Sequence, residues 1–436
     1  MRHQLRIGII ASLTLLGFTA CSGPAKVETT SFIVDGLQVI LKTAGGNPVV
    51  AGGFFLLGGT NYTGTQQAGI EAFLLEAATH GTASLPKDEL NARIESMGTK
   101  LQATAAYDYN GLTFQCLREH FDDTWRMFVD VLLHPRLEPV ELDLVREQII
   151  GWIESENDLG RKQAHKVANN LFYEGHPYGI STLGNTSSVT RFSRKDLLQY
   201  HRSDVTKNRA LLVIVGDLDP RDITNRARAF ARQIPLGPEM RLPGLSFEPG
   251  EPDLAIAARN LPRHVIVGMF PAPKPGHPDY PAFTVAMGIL SDRLFENLAT
   301  DQNLAADPHA GFAHRIANHG YIIASTPRPD ACVKTIFQTI DQLILVPIPE
   351  NQLRGMLALF NTRHLMNNES AMNQMTQLAR WEIVGEGWEQ SDRYVPEISS
   401  LQPGDIQSIV RKYVKNFHFG VVGNPRGVTE SLFTSR

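Results

Sequence analysis

Glu76 and His80 stand four residues apart, a spacing that puts a carboxylate and an imidazole on one face of a helix. If that helix runs one turn further, both could share a face with Glu154, which sits on a later helical stretch. A catalytic zinc ion needs three protein ligands and one open position, so this trio is the set to weigh for metal chemistry. Two features count against it. Carboxylates with at most one imidazole make a poor zinc site. His80 also precedes Gly81-Thr82, where a helix would end, and a histidine there serves as a cap or a partner of the helix dipole. His309, His314 and His319 recur at intervals of five, which fits neither helix nor strand, and read as incidental. Cys116 and Cys332 lie in apolar stretches of different halves and read as buried free thiols. Arg161-Lys162 is a lone basic pair rather than a binding cluster.

The elements that must position these groups follow from periodicity. Residues 31–41 read as two strands around the Asp35-Gly36 turn signal, and 49–57 as a third. Over 69–78 the apolar residues Ile70, Phe73, Leu74, Ala77 and Ala78 mark one face of a helix. A second helix over 87–97 is stopped by Gly98. Strands near 101–107 and 112–117 precede helices over 122–133 and 141–157, and 211–215 is a further strand. The tryptophans Trp125, Trp152, Trp381 and Trp388 sit on or near helices and read as core or groove-lining.

The stretch from Asp196 through Asn208 to Gly216 has an echo from Asp405 through Asn416 to Gly423. Each is a helix, an asparagine, and a strand ending in glycine. Self-similarity at half the chain length indicates a duplicated domain. We expect an α+β chain of two homologous domains, each a mixed or antiparallel sheet with helices on one face. The domains are expected over 28–234 and 253–436, joined by the proline- and glycine-rich linker 235–252.

Composition narrows the function classes. Of 436 residues, 42% are hydrophobic and 20% charged, as in a folded globular chain. A formal net charge of −4 leaves no polybasic footprint for nucleic acid. No phosphate-cradling glycine motif points to a nucleotide cofactor. At the N-terminus, Arg2, His3 and Arg6 precede an apolar run that ends in Phe18-Thr19-Ala20-Cys21. A basic start and a short apolar run form an export signal. Residues 1–21 resemble a bacterial lipoprotein signal, which implies lipidation of Cys21. Ser22 after it implies the outer membrane of a Gram-negative-type cell envelope, on the periplasmic side.

Several phrases, in order along nearly the whole mature chain, resemble the pitrilysin/insulinase family of zinc metallopeptidases. They include Phe55-Leu-Leu-Gly-Gly-Thr60, Gly69-Ile-Glu-Ala-Phe-Leu-Leu-Glu76 with Gly81-Thr82, His176-Pro-Tyr-Gly179, and Ser291-Asp-Arg-Leu-Phe295. The resemblance implies a clam of two domains around a cleft. It also implies an inverted zinc helix, H-x-x-E-H, whose glutamate activates a zinc-bound water. Here those three positions hold Ala72, Leu75 and Glu76. The third ligand, a glutamate on a later helix, counts to Ile153, with Glu154 beside it. The arginine and tyrosine that catalytic members carry in the second half fall on Ala299 and Ala306. The resemblance therefore implies a non-catalytic member without zinc or other cofactor. It would hold a peptide in the inter-domain cleft and pair with a catalytic paralogue or with itself. An active zinc peptidase with a rearranged site, or an envelope scaffold, are the alternatives.

Overall fold

The computed structural model describes residues 27–158, 160–240 and 247–436. The stretch expected to be an export signal, with Cys21, lies outside the described residues. The first sheet contains β1 (Glu28–Val34), β2 (Leu37–Thr43), β3 (Val49–Leu57), β4 (Lys100–Ala105), β5 (Tyr109–Leu117) and β6 (Ala210–Gly216). Their order is β1-β2-β6-β3-β5-β4. The second contains β7 (Asp253–Ala258), β8 (His264–Pro271), β9 (Ala306–Phe312), β10 (His319–Thr326) and β11 (His418–Gly423), in the order β7-β11-β8-β10-β9. In each sheet one pair is parallel, β2 with β6 and β7 with β11, and every other neighbour is antiparallel. The second sheet thus repeats the first without β1, as the sequence echo predicts.

The echoed asparagines have a common task. Asn208 Nδ2 donates to the Gly237 carbonyl at 2.8 Å, and Asn416 Nδ2 donates to the Gly250 carbonyl at 2.8 Å. Each half therefore ties one end of the connecting segment to its own sheet, just ahead of β6 or β11.

Each sheet packs one face against helices of its own half. In the first, Phe54, Leu56, Phe114 and Leu212 meet Phe73, Phe128 and Phe230; in the second, Ile266, Ile322 and Phe419 meet Phe283, Leu290 and Ile336. The opposite faces are covered reciprocally. Helix Gly160–Phe172 of the first half lies on β11, β8 and β7, and helix Ala371–Val384 of the second half lies on β3 and β6. Ala164, Ala168 and Phe172 join Val267, Met269 and Val422 in one such core; Met375, Leu378 and Ala379 join Phe55, Leu211 and Val213 in the other. This explains why β6 is buried throughout, since a strand covered on both sides has no solvent face. The helix approaches β11 backbone to backbone. A Cβ on Gly420 would lie 2.4 Å from the Ala168 nitrogen and 2.5 Å from the Ala164 oxygen. Cys116 and Cys332 are buried free thiols, as expected.

Candidate functional site

The helix Ile70–Ala78 begins against the 181–185 segment. Gly69 has a φ of 86°, and a Cβ there would lie 2.3 Å from the Leu183 carbonyl oxygen, so only glycine starts the helix at this point. A buried ion pair fixes its inner face. Glu71 and Arg209, each 1% exposed, are 2.6 Å apart. Glu71 also accepts from Tyr200 Oη at 2.6 Å and Asn110 Nδ2 at 2.5 Å. Arg209 donates to the Leu57 carbonyl and stacks over Tyr62 at 3.4 Å. Burial, with Glu71 adjacent, raises the Tyr200 pKa, so its hydroxyl stays protonated as a donor. The sequence reading missed this network. Its one sign was a carboxylate on the otherwise apolar side of the helix.

The outer face of the same helix borders a hollow of about 260 Å³. Ala72 and Glu76 form one wall, Ile149 and Trp152 the facing wall, and Ala103–Ala105 of β4 the floor. Leu75 is buried in the core behind it. Neither Ile153 nor Glu154 borders this hollow; Trp152, one position earlier, faces Ala72 and Glu76. Ile153 is buried and lines the neighbouring cleft, while Glu154 points to solvent.

The trio Glu76, His80 and Glu154 does not come together. The helix ends at Ala78 with Thr79 as its cap, and His80 Nδ1 lies 2.9 Å from Glu141 Oε2. Lys87 Nζ reaches the same oxygen at 2.6 Å. Burial opposes the Glu141 charge, but the Lys87 and His80 bonds hold its pKa below the ordinary value. Glu76 Oε1 accepts from Gln148 Nε2 at 3.2 Å instead. One carboxylate facing alanine, isoleucine and tryptophan does not fit a zinc ion, which takes three nitrogen, sulfur or oxygen donors. Among the described residues no three His, Cys, Asp or Glu side chains converge as metal ligands.

A larger cleft of about 760 Å³ adjoins the hollow, and Thr182 borders both. Its walls come from both halves: Tyr107, His165 and Asn169 from the first, Arg315, His319 and Tyr321 from the second. Ala299 and Ala306 do not line it; Ala299 lies in the Phe295–Asp301 helical segment and Ala306 opens the edge strand β9. Arg315 stacks over Tyr107 at 3.5 Å and donates to Asn169 Oδ1 at 3.1 Å. Tyr173 Oη donates to the Ala317 carbonyl at 2.5 Å, and His319 Nδ1 lies 2.9 Å from the same hydroxyl. With the tyrosine proton on the carbonyl, the imidazole Nδ1–H donates to the tyrosine oxygen. Complete burial holds the His319 pKa well below its ordinary value. His319 is thus a joint between the halves, not an incidental residue. His314 pairs separately with Tyr280 at 2.5 Å. Tyr178 bonds Asp108 beneath the cleft, and burial, opposed by Tyr178 and Arg315, pushes the Asp108 pKa up to about 6.

Two sheets of repeated topology and a cleft between the halves define a clam of two similar α/β domains. The profile for Insulinase (Peptidase family M16) matches residues 38–186, and that for the Peptidase M16 inactive domain matches 191–359. The chain belongs to the M16 family. Its similarity to individual relatives is low. It is 22% identical over 194 residues to cytochrome b-c1 complex subunit 1 of Bos taurus, covering 44% of this chain and 40% of that one. It is 19% identical over 388 residues to the uncharacterized zinc protease YmxG of Bacillus subtilis, covering 87% and 93%. The match therefore spans about two fifths of the bovine subunit but nearly all of YmxG. The fold is that of a peptidase M16 inactive domain from Pseudomonas fluorescens, with a TM-score of 0.83 at 17% identity, covering 93% of this chain and 99% of that one.

Proposed function

We propose that this chain is a non-catalytic M16 protein that holds an extended peptide in the cleft between its halves. The observation that carries this reading is the wall formed by Ala72, Glu76, Ile149 and Trp152. A hydrolytic site needs imidazoles and a free carboxylate there to hold zinc and take a proton from water. Beside that wall, β4 is the terminal strand of its sheet and, among the described residues, pairs only with β5. Among the described residues no strand covers its outer edge, and an extended peptide can add there as a further strand. Such binding survives the loss of every catalytic group.

The protein is anchored by a lipid on Cys21 at the periplasmic side of the outer membrane, and pairs with a catalytic paralogue or a second copy. The lipoprotein-type signal supports the anchor. The name of the bovine relative, a subunit of a complex, supports assembly with another chain.

Incubation with labelled unstructured peptides, with and without added zinc, tests the binding reading. Anisotropy is expected to rise while mass spectrometry finds the peptides intact. Cleavage that follows zinc addition overturns it. For the anchor, Cys21→Ser is expected to move the protein from the membrane to the soluble fraction; unchanged membrane partition contradicts lipidation at this residue.

A further inference from the structure

We propose that the larger cleft selects peptides with an acidic flank. The proposal rests on the peptide-binding reading above and adds the chemical class of the ligand.

Arg161-Lys162, an isolated pair in the sequence, is joined in space by Lys166 and by Arg315 from the other half. Four cations line the cleft against one carboxylate of the lining, Glu156, in a chain whose formal net charge is −4; with Asp307 at Arg161 and Asp108 beneath Arg315 included, the described side chains there still number four cations against three carboxylates. The segregation follows from the helix that carries them. Ala164, Ala168 and Phe172 face the second sheet, so Arg161, Lys162 and Lys166 are left toward the cleft.

The histidines in the lining do not alter this sign. Burial, with Arg161 and His309 nearby, brings the His165 pKa down to about 4, and His319 is likewise neutral. Two further carboxylates lie close: Asp307, 3.9 Å from Arg161, and Asp108, buried beneath Arg315. Lys162 forms no ion pair with another described residue. Arg315 is held in place by Tyr107 and Asn169 and meets an incoming carboxylate without ordering a free side chain.

The cleft also lies where a bound strand leads. β4 ends at Ala105, and Tyr107, under Arg315, follows two residues later. A peptide added to β4 past the Ala72 wall therefore runs into the basic cleft, where low-dielectric walls focus the positive field on its flank.

The test uses the purified protein and three fluorescent peptides of one length and one β-forming core, flanked by Glu, Gln or Lys. At low ionic strength the Glu-flanked peptide is expected to bind at least about tenfold tighter than the Gln-flanked one. Added salt should erase the difference, because the cleft is open to solvent. In Arg161→Glu/Lys162→Glu, both exposed positions, the order should reverse, with the Lys-flanked peptide bound tighter than the Glu-flanked one. Should that variant misfold by circular dichroism, the salt series on the unaltered protein decides. Equal affinities at every salt concentration, or a preference for Lys, overturn the charge assignment and leave peptide binding standing. No binding of any peptide overturns both.

Discussion

At the scale of single residues, the account turns on which side chain of the 149–154 stretch faces Ala72 and Glu76. Trp152 faces Ala72 and Glu76 across the hollow, whereas Ile153 lines another cleft and Glu154 meets solvent. Ala72→His, Glu76→His and Trp152→Glu together are therefore expected to create a site that retains zinc at about one per chain, since three ligands then face one point. The same pair of histidines with Ile153→Glu is expected to retain none. Atomic absorption after dialysis distinguishes the two, and equal retention contradicts the placement. Counting along the sequence left Ile153 and Glu154 both open, because a helix turns by 100° per residue and one step changes the wall a side chain faces. A second residue-scale expectation concerns Glu71. Arg209→Leu leaves that carboxylate buried without its cation and should cost about 3–5 kcal/mol in urea unfolding. A loss well under 1 kcal/mol would show that the pair does not fix the helix.

At the scale of elements, periodicity located the strands and helices well. The Asp35-Gly36 turn joins β1 to β2, the 69–78 pattern forms Ile70–Ala78, and Gly98 follows Lys87–Ser96. The duplication was legible too, because both copies keep the asparagine that binds the connecting segment. The reciprocal helices were not. Gly160–Phe172 and Ala371–Val384 each have an apolar face, and periodicity reports that a face is buried without saying against which sheet. Gly420 is the residue that marks the contact, since its missing Cβ lets the helix backbone come close. Gly420→Ala should destabilise the protein by about 1–3 kcal/mol, because the obstruction is backbone on a buried helix and not a flexible side chain. An unchanged urea midpoint contradicts that close approach.

At the scale of the whole molecule, the halves are joined through buried polar groups that only the three-dimensional structure brings together. Asp108, the 169–178 stretch with Asn169, Tyr173 and Tyr178, and the pair Arg315 and His319 come from three parts of the sequence far from one another. The joint has a pH signature. Burial, opposed by the Tyr178 bond and Arg315, raises Asp108 from its ordinary 3.8 to about 6. Between those values the folded protein keeps a proton that the unfolded chain releases, so this group lowers stability as pH rises from about 4 to 6. Asp108→Asn keeps an acceptor for Tyr178 without the charge. It should gain on the unaltered protein by about 1–3 kcal/mol between pH 4 and pH 7. Parallel stability curves would contradict the shift.

The most direct test of a non-catalytic M16 protein is the zinc content of the purified chain lacking residues 1–21, after mild dialysis. The account predicts zinc far below one per chain, since a lone carboxylate beside alanine and tryptophan cannot hold the ion. Zinc near one per chain would contradict it and would direct mutagenesis separately to Glu76 at the hollow and to the His80–Glu141 pair.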